Sequence, residues 1–212
     1  KTFYDSSAKR VVDALEASLK RLRVESIPLY YVHWPDPNTP FHETAEALQR
    51  CQEAGKIQNI GLSNFPLSKI QEISQDFKIS AVQVQYNLID TEIEEKFLEA
   101  CKKMGIAVFT YGPLAQGFLT GKYSKNSNFD DKDCRSRLSH FKKDSFEKNH
   151  LIVEKVREIS ERNGVSMSQV ALRWVAENSR ITSVISGIKS VSQIEDNIGC
   201  LNFNIGADDA EF

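Results

Sequence analysis

The sequence predicts an α/β fold of about five strand–helix units with parallel strands. Five short apolar runs, rich in aromatic and β-branched residues, have the length and composition of buried strands and end in polar or aromatic residues; they occupy 27–36, 57–65, 81–87, 106–114 and 181–189. Helical stretches separate the runs, and this alternation indicates parallel strands with right-handed crossovers. The carboxyl ends of such strands gather on one face, where a site can form.

Capping residues mark where several of the intervening helices begin and end. The stretches 91–94, 166–169 and 190–193 each have the spacing of a capping box, which predicts a helix start. The first box predicts a helix that runs to about Met104 and ends at Gly105.

The polar, highly charged segment 123–146 is long for a connection inside a compact domain. A lid or cofactor loop is one interpretation, because long connections often carry function. A solvated surface excursion is the other, and the sequence leaves both open. The whole chain, 1–212, including this segment, is predicted to form one domain.

Composition excludes several classes of protein. The chain has 212 residues, 41% hydrophobic and 26% charged, with a net charge of −2, so it offers no electrostatic case for nucleic acid or a membrane surface. No apolar run is long enough to span a bilayer. The four cysteines are widely spaced without a CxxC pair, which favours reduced thiols in a cytoplasmic protein.

The sequence lacks the Gly-rich GxGxxG turn that an open doubly wound sheet would carry if it bound a dinucleotide. A (β/α)8 barrel requires eight strand–helix units and typically ~250 residues. The predicted units are therefore three short of a closed barrel.

Five motifs at the ends of successive units carry a resemblance to a known family. They are HWPD (33–36), GLSNF (61–65), VQVQYN (82–87), YGPLAQGFLTGKY (111–123) and QIEDN (193–197). In this order they resemble the aldo-keto reductase family. The resemblance implies a (β/α)8 TIM barrel, here an incomplete barrel of about five units, that binds NADP(H) at its C-terminal face without a Rossmann turn.

The resemblance also implies roles for individual residues. His33 corresponds to the catalytic histidine, which orients the substrate carbonyl, and Trp34 beside it is assigned to the substrate. Residues implied to bind the nicotinamide carboxamide are Ser63, Asn64 and Gln83, and the ring implied to stack on the nicotinamide is that of Tyr111. Residues implied to lie at the pyrophosphate are Gly112, Pro113, Leu114, Gly117 and Lys122, with Arg135 closing over it. Those implied to hold the 2′-phosphate and adenine are Gly187, Lys189, Gln193, Asp196 and Asn197.

These roles suit the chemistry of the side chains. An amide needs fixed donors and acceptors, which Ser, Asn and Gln supply. An aromatic face holds a flat ring, and Lys, Arg and Gly-bracketed amides suit a diphosphate. Purely structural interpretations also stay open. They are a hydrogen-bonded histidine without a catalytic role at 33, a helix cap at 63–64, an aromatic ring buried in the core at 111, surface charges at 122 and 135, and a helix cap at 193.

The family's reaction also uses an Asp, a Tyr and a Lys from units for which this chain has no counterpart, so only His33 of the four reaction residues is present. The predicted function of the complete protein is NADP(H)-dependent reduction of an aldehyde or ketone, with a small carbonyl compound as its partner, and the fragment alone is predicted to be inactive. One alternative is a non-catalytic nucleotide-binding or regulatory module on the same scaffold. A second is a lyase or isomerase that reuses the strand-end site. No apolar surface stripe stands out from the core patterns, so the sequence predicts no particular oligomeric state.

Overall fold

The structure is a computed structural model that describes residues 4–206 and residue 209, apart from the side chain of Lys143. The seven α-helices of this part of the chain are α1 (Ala8–Leu22), α2 (Phe41–Glu53), α3 (Leu67–Ile73), α4 (Lys96–Met104), α5 (Lys143–Asn163), α6 (Met167–Glu177) and α7 (Val191–Ile198). The strands are β1 (Tyr30–Val32), β2 (Ile60–Ser63), β3 (Ala81–Gln85), β4 (Ala107–Tyr111) and β5 (Ser183–Ile185). They form a parallel sheet in the order β1-β2-β3-β4-β5, which confirms the predicted α/β class.

The chain divides into two compact units. The first holds the described residues up to Val84 together with Lys96–Val108, and the second holds Gln85–Glu95 with the described residues from Phe109 onward.

In the first unit, β2 lies between β1 and β3, with Leu62 in register with Val32 on one side and with Val82 on the other. Gly61 is required in β2 because the ring of Tyr31 lies over it. A Cβ at this position would come within 2.5 Å of that ring. Helices α1 and α2 pack against each other. The buried residues at the centre of the unit include Leu15, Leu48, Leu62, Ile70, Val82 and Leu98.

In the second unit, β4 pairs with β5, and Thr110 lies in register with Val184. The core lies between α5, α6 and a 3₁₀ segment at Ala115–Thr120; it includes Phe118, Leu119, Val156, Ile159, Val170 and Ala171. The predicted capping box at 166–169 is confirmed: Ser166 and Gln169 bond each other's backbone N–H at the start of α6.

Two other predicted capping boxes differ from the structure. Helix α4 begins only at Lys96, and the capping box predicted at 91–94 does not start it. The Glu94 carboxylate accepts a hydrogen bond from the Tyr86 hydroxyl instead, so it is engaged elsewhere. At α7, Ser190 caps the Gln193 N–H at 3.3 Å as predicted, but the Gln193 side chain accepts from the N–H of Lys189 at 2.7 Å. Only one half of that predicted box is formed.

A search of the described helices finds none with the length and apolar character needed to cross a membrane.

Candidate functional site

His33 and Trp34 follow directly after β1 and both side chains are exposed. Their rings lie 6.2 Å apart, and Trp34 also contacts the ring of Tyr4, with 6.1 Å between centroids. These aromatic residues line a cavity of about 800 Å³ between α1 and β1, to which Tyr31 and Arg10 also contribute. An exposed imidazole at the lip of a cavity this large can reach a small bound molecule.

The ends of β2 and β3 bring Ser63, Asn64 and Gln83 together. The Ser63 hydroxyl is fully buried and donates to the Gln83 side-chain carbonyl at 3.2 Å. The Asn64 side-chain amide donates to the Ser63 hydroxyl at 3.1 Å and to the backbone carbonyl of His33 at 2.9 Å. The register Ser63–Gln83 explains the contact, because paired positions of adjacent parallel strands face the same side. The three predicted carboxamide residues therefore form one hydrogen-bonded cluster.

Asn64 has a left-handed backbone, with a φ of 64°, which reverses the chain after β2. Asparagine tolerates this region better than most residues. The Asn64 N–H donates to the Gln83 carbonyl at 3.1 Å, so the turn is also tied to the end of β3.

In the second unit, Tyr111 ends β4 and its ring is partly buried. Burial raises the pKa of its hydroxyl, and the nearby Asp90 carboxylate raises it further. The backbone carbonyl of Tyr111 accepts from the Tyr86 N–H at 3.2 Å. The next carbonyl, that of Gly112, accepts from the Asn87 side chain at 3.0 Å. The backbone that carries the ring is thus held at two consecutive carbonyls.

The turn after Tyr111 contains the predicted pyrophosphate residues. Pro113 is buried, and Leu114 packs against the core of the second unit. Positive φ values at Ala115, Gln116 and Gly117 interrupt the 3₁₀ helix and fold the chain tightly back. A side chain at position 117 would be strained, because its φ is 90° and a Cβ would lie 3.0 Å from the Lys122 side chain.

Lys122 thus lies over the Gly117 backbone and brings a cation to the turn. The side-chain carbonyl of Gln116 is buried there without a hydrogen-bond partner in the described part of the chain. Gln116 was not among the predicted site residues, and its place inside the AQG turn is the only sequence signal that could have selected it.

Arg135 lies in a short 3₁₀ turn, Cys134–Arg137, and is paired with Asp133. The hydrogen bonds between these two side chains are the main reason why the pKa of Asp133 falls to about 2, and they raise the pKa of Arg135. Arg135 also donates to the hydroxyl of Tyr123. Sequence reasoning found Arg135 but missed Asp133, although an acidic residue two positions before an Arg is a visible pairing signal.

The last predicted group lies around the start of α7. Gly187 and Lys189 are exposed in the loop after β5, and Gln193 folds back onto the Lys189 N–H. Asp196 faces α6 and accepts from Ser166 at 2.9 Å and from Gln169 at 3.1 Å. Asn197 donates to the Ser186 hydroxyl at 3.0 Å, which ties α7 to the end of β5.

The structure thus gathers the predicted residues into separate groups within each unit. His33, Trp34, Ser63, Asn64 and Gln83 belong to the first unit, and the predicted residues from Tyr111 onward belong to the second. In the described residues, no three His, Cys, Asp or Glu side chains are grouped so that they could hold a metal ion.

The chain is similar to known proteins along nearly its whole length. Aldo-keto reductase yakc [NADP(+)] from Schizosaccharomyces pombe is 36% identical over 91% of the chain and 57% of its own length. Aldo-keto reductase YhdN from Bacillus subtilis is 34% identical over 91% of the chain and 59% of its own length. Among solved structures, the glycerol dehydrogenase AKR11B4 from Gluconobacter oxydans superposes with a TM-score of 0.87 at 33% identity, covering 99% of this chain and 64% of that one.

The chain therefore spans a little under two thirds of the length of these relatives. The profile of the Aldo/keto reductase family matches residues 3–211, almost the entire sequence. This chain belongs to the aldo/keto reductase family.

Proposed function

We propose that the complete protein is an NADP(H)-dependent oxidoreductase that reduces an aldehyde or ketone by hydride transfer. The observation that carries this proposal is the partly buried cluster of Ser63, Asn64 and Gln83 at the ends of β2 and β3. Family membership supports it, as does the similarity to Aldo-keto reductase yakc [NADP(+)], whose name includes this cofactor.

The cluster suits a carboxamide because it combines a hydroxyl with two side-chain amides on one connected network. A bound nicotinamide amide both donates and accepts, so it can replace bonds within the cluster without leaving a polar group unpaired. The bonds at 3.1 and 3.2 Å are ordinary neutral hydrogen bonds that a ligand can exchange.

In the proposed site, the partly buried ring of Tyr111 stacks on the nicotinamide. The fit of a pyrophosphate to the following turn is supported by the Lys122 side chain, which lies over Gly117. Gly112, Pro113 and Leu114 complete that turn, and Arg135 supplies a second cation.

The 2′-phosphate and adenine are proposed to bind at Gly187, Lys189, Gln193, Asp196 and Asn197. Lys189 is exposed in the loop directly before α7 and is the cation of this group. Asp196 and Asn197 hold α7 against α6 and the end of β5, so their part is to position the loop.

His33 is the proposed catalytic residue and Trp34 the proposed substrate contact. When bound, the cofactor would supply the hydride, and His33 would orient the carbonyl oxygen by hydrogen bonding. Its backbone carbonyl accepts from Asn64, so the position of the imidazole is coupled to the carboxamide cluster. The cavity beside both rings accommodates a small carbonyl compound.

We further propose that turnover needs strand–helix units beyond these five, as part of a (β/α)8 barrel. Exposed apolar side chains on β5 and α7, such as Ile185, Val191 and Ile198, favour further covering structure in the complete protein. We therefore expect the chain alone to bind nucleotide without reducing carbonyls. A cytoplasmic location also belongs to this proposal, on the cysteine pattern.

The test is a fluorescence titration of the chain with NADPH, using the change in nicotinamide emission on binding. The Gln83→Met variant keeps the side-chain length but removes the amide, and its Kd is expected to rise about tenfold. Gln49→Met, on the exposed face of α2, is the matched control and should leave the Kd unchanged. Absence of NADPH binding by the unmodified chain, or equal affinities for both variants, would refute the cofactor assignment.

A separate assay follows NADPH oxidation at 340 nm with an aldehyde present. Turnover by the 212-residue chain would contradict the proposed need for further units and leave the cofactor assignment intact.

A further inference from the structure

The Asp133 carboxylate makes a forked contact with the guanidinium of Arg135. One carboxylate oxygen accepts from the Arg135 side-chain Nε–H at 2.9 Å and from its backbone N–H at 3.0 Å. The other oxygen accepts from Nε–H at 3.1 Å and from an Nη2 hydrogen. This forked contact uses the same guanidinium edge with which arginine binds phosphates.

The position of the guanidinium is set by aromatic neighbours as well as by Asp133. Its central carbon lies 4.8 Å from the ring centroid of Phe129 and 5.4 Å from that of Tyr123. The third donor group, Nη1, is bonded to the Tyr123 hydroxyl. Because these contacts do not involve Asp133, the guanidinium keeps a defined location when the carboxylate is lost or displaced.

Lys189 is the second cation that acts on Asp133. The positive charge of Lys189 contributes to the low pKa of the Asp133 carboxyl, after the larger effect of Arg135. The charge of Lys189 thus adds only a small effect on this carboxyl, and the hydrogen bonds of Arg135 hold the carboxylate in place.

We propose that Asp133 sets the phosphate affinity of this site: its carboxylate stands in for a phosphate group at Arg135, and a phosphate-bearing nucleotide has to displace it to bind. The inference rests on the proposed function, because it concerns the phosphates of the same cofactor. Asp133 thereby lowers the affinity for any ligand whose phosphate has to bind Arg135.

The opposite role predicts an effect of opposite sign. If Asp133 served to position Arg135 for the phosphate, removing its charge would weaken nucleotide binding. The aromatic contacts of the guanidinium and its bond to Tyr123 make the competing role the one that the geometry supports.

Asp133→Asn is the decisive variant. The Asp133 side chain caps the 3₁₀ turn by accepting from the Arg135 N–H, and an asparagine carbonyl can take over that bond. The substitution therefore removes the charge and keeps the cap. Asp131→Asn, at an exposed position of the same loop, removes one negative charge without touching Arg135 and is the matched control.

The experiment titrates the unmodified chain, both single variants and the double variant D133N/R135Q with NADPH, NADH and inorganic pyrophosphate. Asp133→Asn is expected to tighten NADPH and pyrophosphate binding about fivefold, the upper range for a partly exposed charge pair. The affinity for NADH should rise by a similar factor, because both dinucleotides carry the pyrophosphate assigned to Arg135. The gain should shrink as the salt concentration rises, because screening weakens the competing pair.

An unchanged or weaker affinity in Asp133→Asn, with a thermal unfolding midpoint like that of the unmodified chain, would overturn the inference. An equal gain in Asp131→Asn would also overturn it, since the effect would then be one of net charge. A gain that persists in the double variant would show that Arg135 is not the cation involved, which contradicts the proposal.

The pyrophosphate titration separates this inference from the proposed function. If the unmodified chain bound neither dinucleotide, the proposed function would fail. A pyrophosphate affinity raised by Asp133→Asn would still establish competition between carboxylate and phosphate, and the lack of any rise would refute it.

Discussion

Replacing Asn87 with alanine is expected to lower the free energy of unfolding by about 2–4 kcal/mol. The Asn87 side chain is fully buried and uses all its hydrogen-bonding positions. Its amide donates to the Asp90 carboxylate at 2.9 Å and to the Gly112 carbonyl at 3.0 Å. Its carbonyl accepts from the backbone N–H of Ile89 at 2.9 Å and of Asp90 at 3.0 Å.

The magnitude follows from what each partner loses. Gln85 still donates to the Asp90 carboxylate at 2.6 Å, and the Ala115 N–H still donates to the Gly112 carbonyl at 3.0 Å. The two backbone amides, however, lose the acceptor that Asn87 gives them. An unsatisfied buried donor costs about 1–3 kcal/mol, and these two are only partly buried, so the lower half of that range applies to each.

Urea unfolding followed by far-ultraviolet circular dichroism measures the loss. Asn163→Ala is the matched control, because Asn163 is exposed and makes one hydrogen bond, to the Ile159 carbonyl at 2.9 Å; it should cost less than about 1 kcal/mol. A loss in Asn87→Ala no larger than that of the control would refute the reasoning.

Asn87→Asp separates the donor from the acceptor role. It keeps the oxygen for the two amides, removes the donor to Gly112 and places a second carboxylate beside Asp90. Repulsion should raise the pKa of the new carboxyl, so this variant should lose stability relative to the unmodified chain as pH rises from 5 to 7. A constant difference between the two proteins over that range would contradict the network.

Three further substitutions have expected outcomes. Gly61→Ala should lower the free energy of unfolding in urea by about 1–3 kcal/mol, because the new methyl group meets the Tyr31 ring within 2.5 Å. An unchanged free energy of unfolding would mean that the ring can move aside. Burial lowers the pKa of His140, so the folded protein favours the neutral ring and its stability should fall as the pH drops below about 6.5. The His140→Phe variant should show a shallower fall in stability. An identical pH profile for both proteins would contradict the role of His140. Ser166→Ala should lower the free energy of unfolding by about 1–2 kcal/mol, because it removes the cap of α6 and a hydrogen bond to Asp196. The loss is measured by thermal unfolding, and a change within error would indicate that water replaces both hydrogen bonds.

The alternation of strands and helices and the polar residues at strand ends were readable from the sequence, because both follow from local pattern. The prediction that Ser63, Asn64 and Gln83 lie together needed only parallel neighbours in register, which the structure has. The strands themselves are shorter than the apolar runs: β1 covers three residues of the run 27–36. Apolar character extends into the loops there, so hydrophobicity alone does not mark where the ladder ends.

Contacts between distant segments were not readable. Glu94 fits a capping box locally, yet its carboxylate is taken by Tyr86 and its backbone carbonyl by Arg180, 86 residues away in sequence. The Asn87 network has the same origin, because its bond to Gly112 depends on how β4 ends. Local sequence rules give the favoured partner, and tertiary contacts decide whether that partner is free.

The segment 123–146 shows how such contacts change a functional interpretation. As a lid or as a solvated excursion, the segment would be only loosely attached to the core. Phe141 and Phe146, however, pack edge-on against Phe118 at 5.3 Å and 5.1 Å, and Phe118 belongs to the buried core of the second unit. Two aromatic pairs stabilise the folded state by about 1–3 kcal/mol in addition to the gain from burying their apolar surface. Swinging the whole segment away would break both, whereas exchanging the carboxylate on Arg135 for a phosphate breaks neither, so the proposed cofactor role is better served by side-chain exchange with the backbone in place.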